Sequence, residues 1–276
     1  MATTQKAASP KKSQGFQGIR AAIWVIVVCL IIAICIYMFL LGNPSNFAGN
    51  DPDGHPTNLL GTIYKGGIIV PIIQTLLLTV IALSIERWLA LRTAFGKGSL
   101  AKFVLNVKAA VSKGDFAAAQ SICDKQRGSV ANVVSASLRA YKEMETAPGL
   151  KKAQKVAKIQ QAHEEATQLE MPTLQMNLPI LATIVTLGTL TGLLGTVIGM
   201  IRSFQALAAG GGGDSLALST GISEALINTA FGILTSWCSV IAYNTFTNKI
   251  DKLTYALDEV GYSIAQTYEA NHTDEA

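Results

Sequence analysis

The chain has 276 residues, half of them hydrophobic and only 14% charged, with a mean hydropathy of +0.36. That balance is too apolar for an ordinary soluble domain and points to a membrane protein. The net charge of +4 is small and sits in basic blocks beside apolar runs, which argues against a nucleic-acid-binding surface and reads as an orientation signal.

Residues 1–20 form a basic tail, and 21–41 are apolar enough to cross a bilayer, which takes about 20 residues. This run exceeds the usual apolar stretch of a cleaved leader, and no A-x-A site follows, so it is expected to be retained as a first transmembrane helix. Residues 42–66 are rich in Gly, Pro, Asn and Asp and read as a flexible linker. A second span covers 67–91. It holds Pro71 and Gln74, and it ends in "SIERW", where Glu86, Arg87 and Trp88 read as an interfacial charge pair with an aromatic anchor.

From 92 to 177 the pattern changes to helical period. Gly114 is placed to end one helix and Asp115 to cap the next. Pro148 and Gly149 interrupt again, after which a polar helix runs from Leu150 to Met171, ahead of Pro172. Spans three (178–207) and four (216–247) follow, joined by a glycine-rich turn at 208–215, and 248–276 make a C-terminal helix or tail. Lys and Arg number four in 1–20, one in 43–66, fourteen in 87–175 and none in 208–215. The positive-inside rule therefore puts both termini and the large middle segment in the cytoplasm.

Cys29, Cys35 and Cys238 lie in apolar runs and Cys123 in a basic segment, so no disulfide framework is expected. "HEEAT" at 163–167 lacks the second histidine of a zinc helix. There is no nucleophile with a base, no phosphate loop and no cofactor motif. The expectation is a protein that is not an enzyme and needs neither metal nor cofactor.

Polar groups inside spans three and four carry the functional signal. If the turn centres on Gly212 and Gly213, Thr196 lies as far before it as Thr229 lies after it, and an antiparallel hairpin holds both hydroxyls at one depth. The same arithmetic pairs Arg202 with Glu224. Thr189, Gly192, Thr196, Gly199 and Ser203 recur at spacings of three and four, forming a stripe of small or hydroxylated side chains. Gly188/Gly192 and Gly195/Gly199 are GxxxG pairs. The stripe suits close helix packing, and it equally suits the lining of a narrow polar path. Glu224 needs a partner, a proton or water, because a carboxylate at mid-membrane costs roughly 2.5–3.5 kcal/mol on insertion scales. Glu224 and Asn228 share a helix face, while Thr229 lies about 140° round from Glu224.

The stretches "LPILATIVTLGTLTGLLGTVIGMIRSF", "LSTGISEALINTAFGIL" and "AYNTF", with weaker echoes in "IERWLALR" and "GDFAAAQSIC", resemble the MotA/TolQ/ExbB proton channel family, its ExbB branch above all. The resemblance implies an all-α polytopic membrane protein whose long transmembrane helices extend into a cytoplasmic helical domain. It further implies a homopentamer in the bacterial inner membrane, enclosing an ExbD-type partner with a single span that bears an aspartate. Proton flow would then drive a TonB-type transducer that energises outer-membrane transport. The family's pore threonines match Thr196 and Thr229, and its acidic residue matches Glu224; Thr189, Gly192, Gly199, Arg202, Ser203 and Asn228 are further candidates for the path or its mouth. The sequence departs from the family in lacking a proline within "TLGTLTG", in carrying Arg202 and in having an additional first span.

Threonine has no usable pKa, so the proton carrier is expected to be Glu224 or, by preference, a carboxylate of the partner. The rival readings are a TolQ-like envelope motor, a MotA-like stator and, in a different class, a non-conducting scaffold held by its GxxxG faces. A solute transporter is disfavoured because spans one and two do not mirror three and four.

Overall fold

The computed structural model describes residues 22–52, 54–209 and 215–273. The basic tail, the glycines at 210–213 and Asp214 lie outside the described residues. The protein is helical, and four of its helices are long and apolar enough to cross a membrane. In chain order the helices are α1 (Ala22–Cys35), α2 (Leu59–Lys65), α3 (Ile69–Phe95), α4 (Leu100–Ser112), α5 (Phe116–Gln126), α6 (Gly128–Thr146), α7 (Lys152–Gln175), α8 (Leu178–Ala209) and α9 (Ser215–Asn271). The chain divides into two compact units.

One unit comprises residues 19–86 and 177–246. It holds α1, α2, the start of α3, α8 and the start of α9. Its surface is strongly apolar: Ile23, Trp24, Phe39, Leu190, Phe204 and Trp237 are all more than half exposed, as lipid or partner helices require and water does not allow. A π-helical turn, Ile36–Leu41, extends α1, and the Gly42 N–H closes it on the Tyr37 carbonyl.

The segment between α1 and α3 departs from the linker expected of its composition. Two 3-10 turns, Pro44–Asn46 and Ala48–Asn50, are followed by a bridge between Phe47 and Pro56 and then by α2, which Asn58 caps through the Gly61 N–H. Asn46 is buried; its side-chain amide donates to the carbonyls of Leu40 and Leu41 and its oxygen accepts from Asn58. Phe47 is buried edge-on against Tyr64, which stacks on Tyr37 at 4.7 Å. Side-chain amides satisfy the backbone and one aromatic supplies the apolar anchor, so the turn-rich composition conceals an ordered cap.

The other unit is built from residues 87–176 and 247–276. Phe103, Val104, Val107 and Val111 of α4 and Val130, Val133, Val134 and Leu138 of α6 recur at helical spacing and are buried. Gly114, at φ 71, and Asp115, whose carboxylate accepts from the Ala118 N–H, separate α4 from α5. The latter part of α9 adds Leu253, Leu257, Val260, Ile264 and Tyr268 to this core, and the Tyr268 hydroxyl donates to the Met144 carbonyl at 3.0 Å. At 57 residues, α9 is more than twice as long as a bilayer crossing needs.

Helix α7 passes through Pro172 and stops only at Gln175, four residues beyond the expected end at Met171. Its last carbonyls, which have no partner within the helix, receive Arg87: the guanidinium donates to Thr173 O at 3.2 Å and Leu174 O at 3.5 Å. Arg87 is therefore fully buried. Glu86 is buried as well, accepting from the Asn177 side chain at 3.3 Å. Asn177 adopts φ 64 where α7 gives way to α8.

Candidate functional site

Helices α8 and α9 form a closely packed antiparallel pair. A methyl group at Gly232 would stand 2.6 Å from the Gly188 carbonyl and 2.7 Å from the Gly192 α-carbon, so the two backbones touch here. Nearer the turn, a methyl at Gly199 would meet the Ala225 side chain at 2.7 Å. The GxxxG pairs thus face α9.

Polar contacts cross this seam at regular intervals. The Ser239 hydroxyl donates to the Leu181 carbonyl at 2.7 Å, and Thr189 donates to Ser236 at 2.8 Å. One turn or two further along, Thr196 and Thr229 are joined through their hydroxyls, and each also reaches the Gly192 carbonyl at 3.2 Å. Ser203 is buried and bonds back to Gly199 O at 2.8 Å. Two hydroxyl protons serve three contacts in the Thr196, Thr229 and Gly192 triangle, so one contact always lacks a proton and the pair retains lone-pair capacity. Both threonines are half-buried. Thr196 opens onto a groove of about 690 Å³ lined by Leu193, Val197, Met200, Ile201 and Phe204.

The expected residues separate into distinct places. Thr189, Gly192, Thr196, Gly199 and Ser203 lie along the seam of α8 with α9, as their spacing demands. Arg202 and Glu224 do not form an ion pair among the described residues. Arg202 is exposed and extends toward the junction of α2 and α3, where a methyl at Gly67 would lie 3.1 Å from its Nη1. Glu224 is half-buried and experiences the charges of both Lys65 and Arg202. Asn228 is buried away from the threonine pair; its amide donates to the Gly66 carbonyl at 3.0 Å, and Gly195 lies against its Cβ. Neither Ser236 nor Lys65 stood out in the sequence. Ser236 lies as far after the turn as Thr189 lies before it, which was a readable signal. Lys65 lies on a short helix whose place the turn-rich segment hid. Among the described residues no cluster of acidic, histidine or cysteine side chains is arranged to hold a metal ion.

Apolar spanning helices and a hydroxyl-bearing helix seam define a polytopic helical membrane protein with polar groups along a close helix contact. The sequence matches the MotA/TolQ/ExbB proton channel family over residues 127–259, just under half of the chain, and the match includes the whole seam from Leu181 to Ser239. It is 29% identical to the Tol-Pal system protein TolQ of Pseudomonas aeruginosa, over 71% of this chain and 86% of that protein. It is 39% identical to the biopolymer transport protein ExbB of Helicobacter pylori, over 29% of this chain and 55% of that protein. It is 37% identical to a putative biopolymer transport protein, ExbB-like 3, of Synechocystis, over 31% of this chain and 41% of that protein. Against the latter two, then, the chain spans about half of the relative's length or less.

Proposed function

We propose that this chain is the channel-forming stator subunit of a proton-driven motor in the bacterial inner membrane, assembled as a homopentamer around an ExbD-type partner and coupled to TonB-dependent outer-membrane transport. In this reading both termini and the unit built on α4 to α7 face the cytoplasm, and the segment between α1 and α3 faces outward, as the Lys and Arg distribution supports. The observation that carries the proposal is the threonine pair, which offers lone pairs at mid-helix beside an open apolar groove. The hydroxyls orient water or a carboxyl group, and the aspartate of the partner carries the proton. One charge crossing ~100 mV releases about 2.3 kcal/mol, enough to bias a step of the enclosed helices.

Glu224 serves as the acidic residue of the mouth, with Lys65 and Arg202 setting the local field. Replacing both Thr196 and Thr229 with Ala is expected to abolish proton flux in vesicles holding the complex, with the oligomer unchanged in mass. Normal flux through that double variant would sink the assignment.

A second reading, a TolQ-type envelope motor, draws support from the relative of that name, whose alignment covers most of both chains. The two share the channel and differ in the single-span protein that co-purifies. Mass measurement of the intact membrane complex separates them: an ExbD-type partner supports the first and a TolR-type partner the second. A homo-oligomer with no partner and no flux would favour the scaffold.

A further inference from the structure

Among the described residues of the spanning unit, two buried side-chain oxygens have no hydrogen-bond partner, Gln74 Oε1 on α3 and Asn228 Oδ1 on α9. Both residues line one small cavity of about 10 Å³, whose remaining walls are Ile63, Val70, Ile73 and Phe231. Asn228 is only 3% exposed, and its amide nitrogen is committed to the Gly66 carbonyl, which fixes which end of the amide is the oxygen. A buried acceptor without a donor destabilises the fold. The two residues that carry such acceptors line one cavity, which offers a donor access to both.

We propose that this cavity binds a single structural water, which donates one hydrogen bond to Gln74 Oε1 and the other to Asn228 Oδ1. The volume suits one water, since a cavity needs roughly 10–15 Å³ of this measure to hold one, and two polar partners suffice to retain it. A metal cation does not suit the site, because hard cations take about six oxygen ligands and four of the six lining residues are apolar. The ligand is therefore neutral and a double donor. Its role is to tie α9 to α3 on a face turned away from the threonine pair. Asn228 and Thr229 are adjacent, about 100° apart around the helix, so a rotation of α9 that broke the water link would also withdraw Thr229 from Thr196.

Cryo-electron microscopy of the full-length protein in lipid nanodiscs, at a resolution that shows ordered water, tests the site. A density peak within hydrogen-bond distance of both oxygens is the expected result. An empty cavity, or a Gln74 amide turned to donate directly to Asn228 Oδ1, would overturn the proposal. So would a peak that appears in sodium buffer and vanishes in choline buffer. Thermal unfolding supplies a second readout through Gln74→Met, Asn228→Leu and the double variant. A shared water predicts that the double variant loses less stability than the two single losses combined, because the second change removes an acceptor already deprived of its donor. Strictly additive losses would count against it.

Discussion

Among single residues, depth sets the contact of Thr196 with Thr229, and direction around the helix sets that of Asn228. Thr196 and Thr229 are equidistant from the turn, and in an antiparallel helix pair equal distance means equal depth, so their contact followed from counting. Asn228 carries the same apparent polarity one position earlier, yet a single helical step directs it to the backbone carbonyl of Gly66, and a backbone partner leaves no mark in a sequence. Arg202 and Glu224 obey the depth rule and still do not pair, since depth says nothing of the direction around the helix. At Cys123 burial decides the chemistry. It pushes the thiol up to about 12 from an ordinary value near 9, so the proton is held in the folded state. The associated stability is present below the unfolded-state value and is lost as pH rises toward about 12. Because the thiolate is the nucleophile, Cys123 in the folded protein is expected to alkylate with iodoacetamide about a thousandfold more slowly at pH 8 than after denaturation. Equal rates in the two states, followed by peptide mass spectrometry, would contradict its burial.

At the scale of the helix, packing and polarity share the same seam. Close packing describes the α8 stripe: Gly192 and Gly232 let the backbones meet, and that approach brings the hydroxyls within reach of each other. Gly232→Ala would push a methyl against the Gly188 carbonyl, and the relief must come from the backbones parting. Overpacking of this kind costs about 1–3 kcal/mol, so the melting temperature of the purified protein is expected to fall, and proton flux with it. An unchanged midpoint would show that the helices are not in backbone contact there. The helix ends were less legible than the helix interiors. Pro172 looked like a terminus, but Arg87 on another helix supplies donors to the carbonyls of Thr173 and Leu174 and carries α7 one turn further. The cap after α1 was missed for a related reason. Asn46 and Phe47 are ordinary turn and aromatic residues until Asn58 and Tyr64 come alongside them.

For the whole molecule, apolar runs identified four spans because bilayer thickness imposes a minimum length that few other structures need. The composition of the second unit's core was less visible, since it gathers stretches far apart in the chain. Ile250, Leu253, Leu257, Val260, Ile264 and Tyr268 are buried, although the sequence beyond 247 read only as a helix or tail. Ending the chain after Phe246 is therefore expected to raise hydrogen exchange across α6, where Val133, Val134 and Tyr141 are otherwise buried. Unaltered exchange in α6 would mean that the helical unit stands without α9.

The ladder between α8 and α9 also governs which length changes the chain tolerates. Extra residues added between the end of α8 at Ala209 and the start of α9 at Ser215 leave the register of both helices intact, and each doubling of a loop costs about 0.6 kcal/mol. One residue inserted between Thr196 and Ser203 would turn everything on one side of it by about 100° and separate Gly199 from Ala225 or Thr196 from Thr229. Insertions and deletions accepted by such proteins should accordingly collect in the turn and be missing from the helices that flank it, a footprint that a deep insertion scan would reveal without any measurement of current.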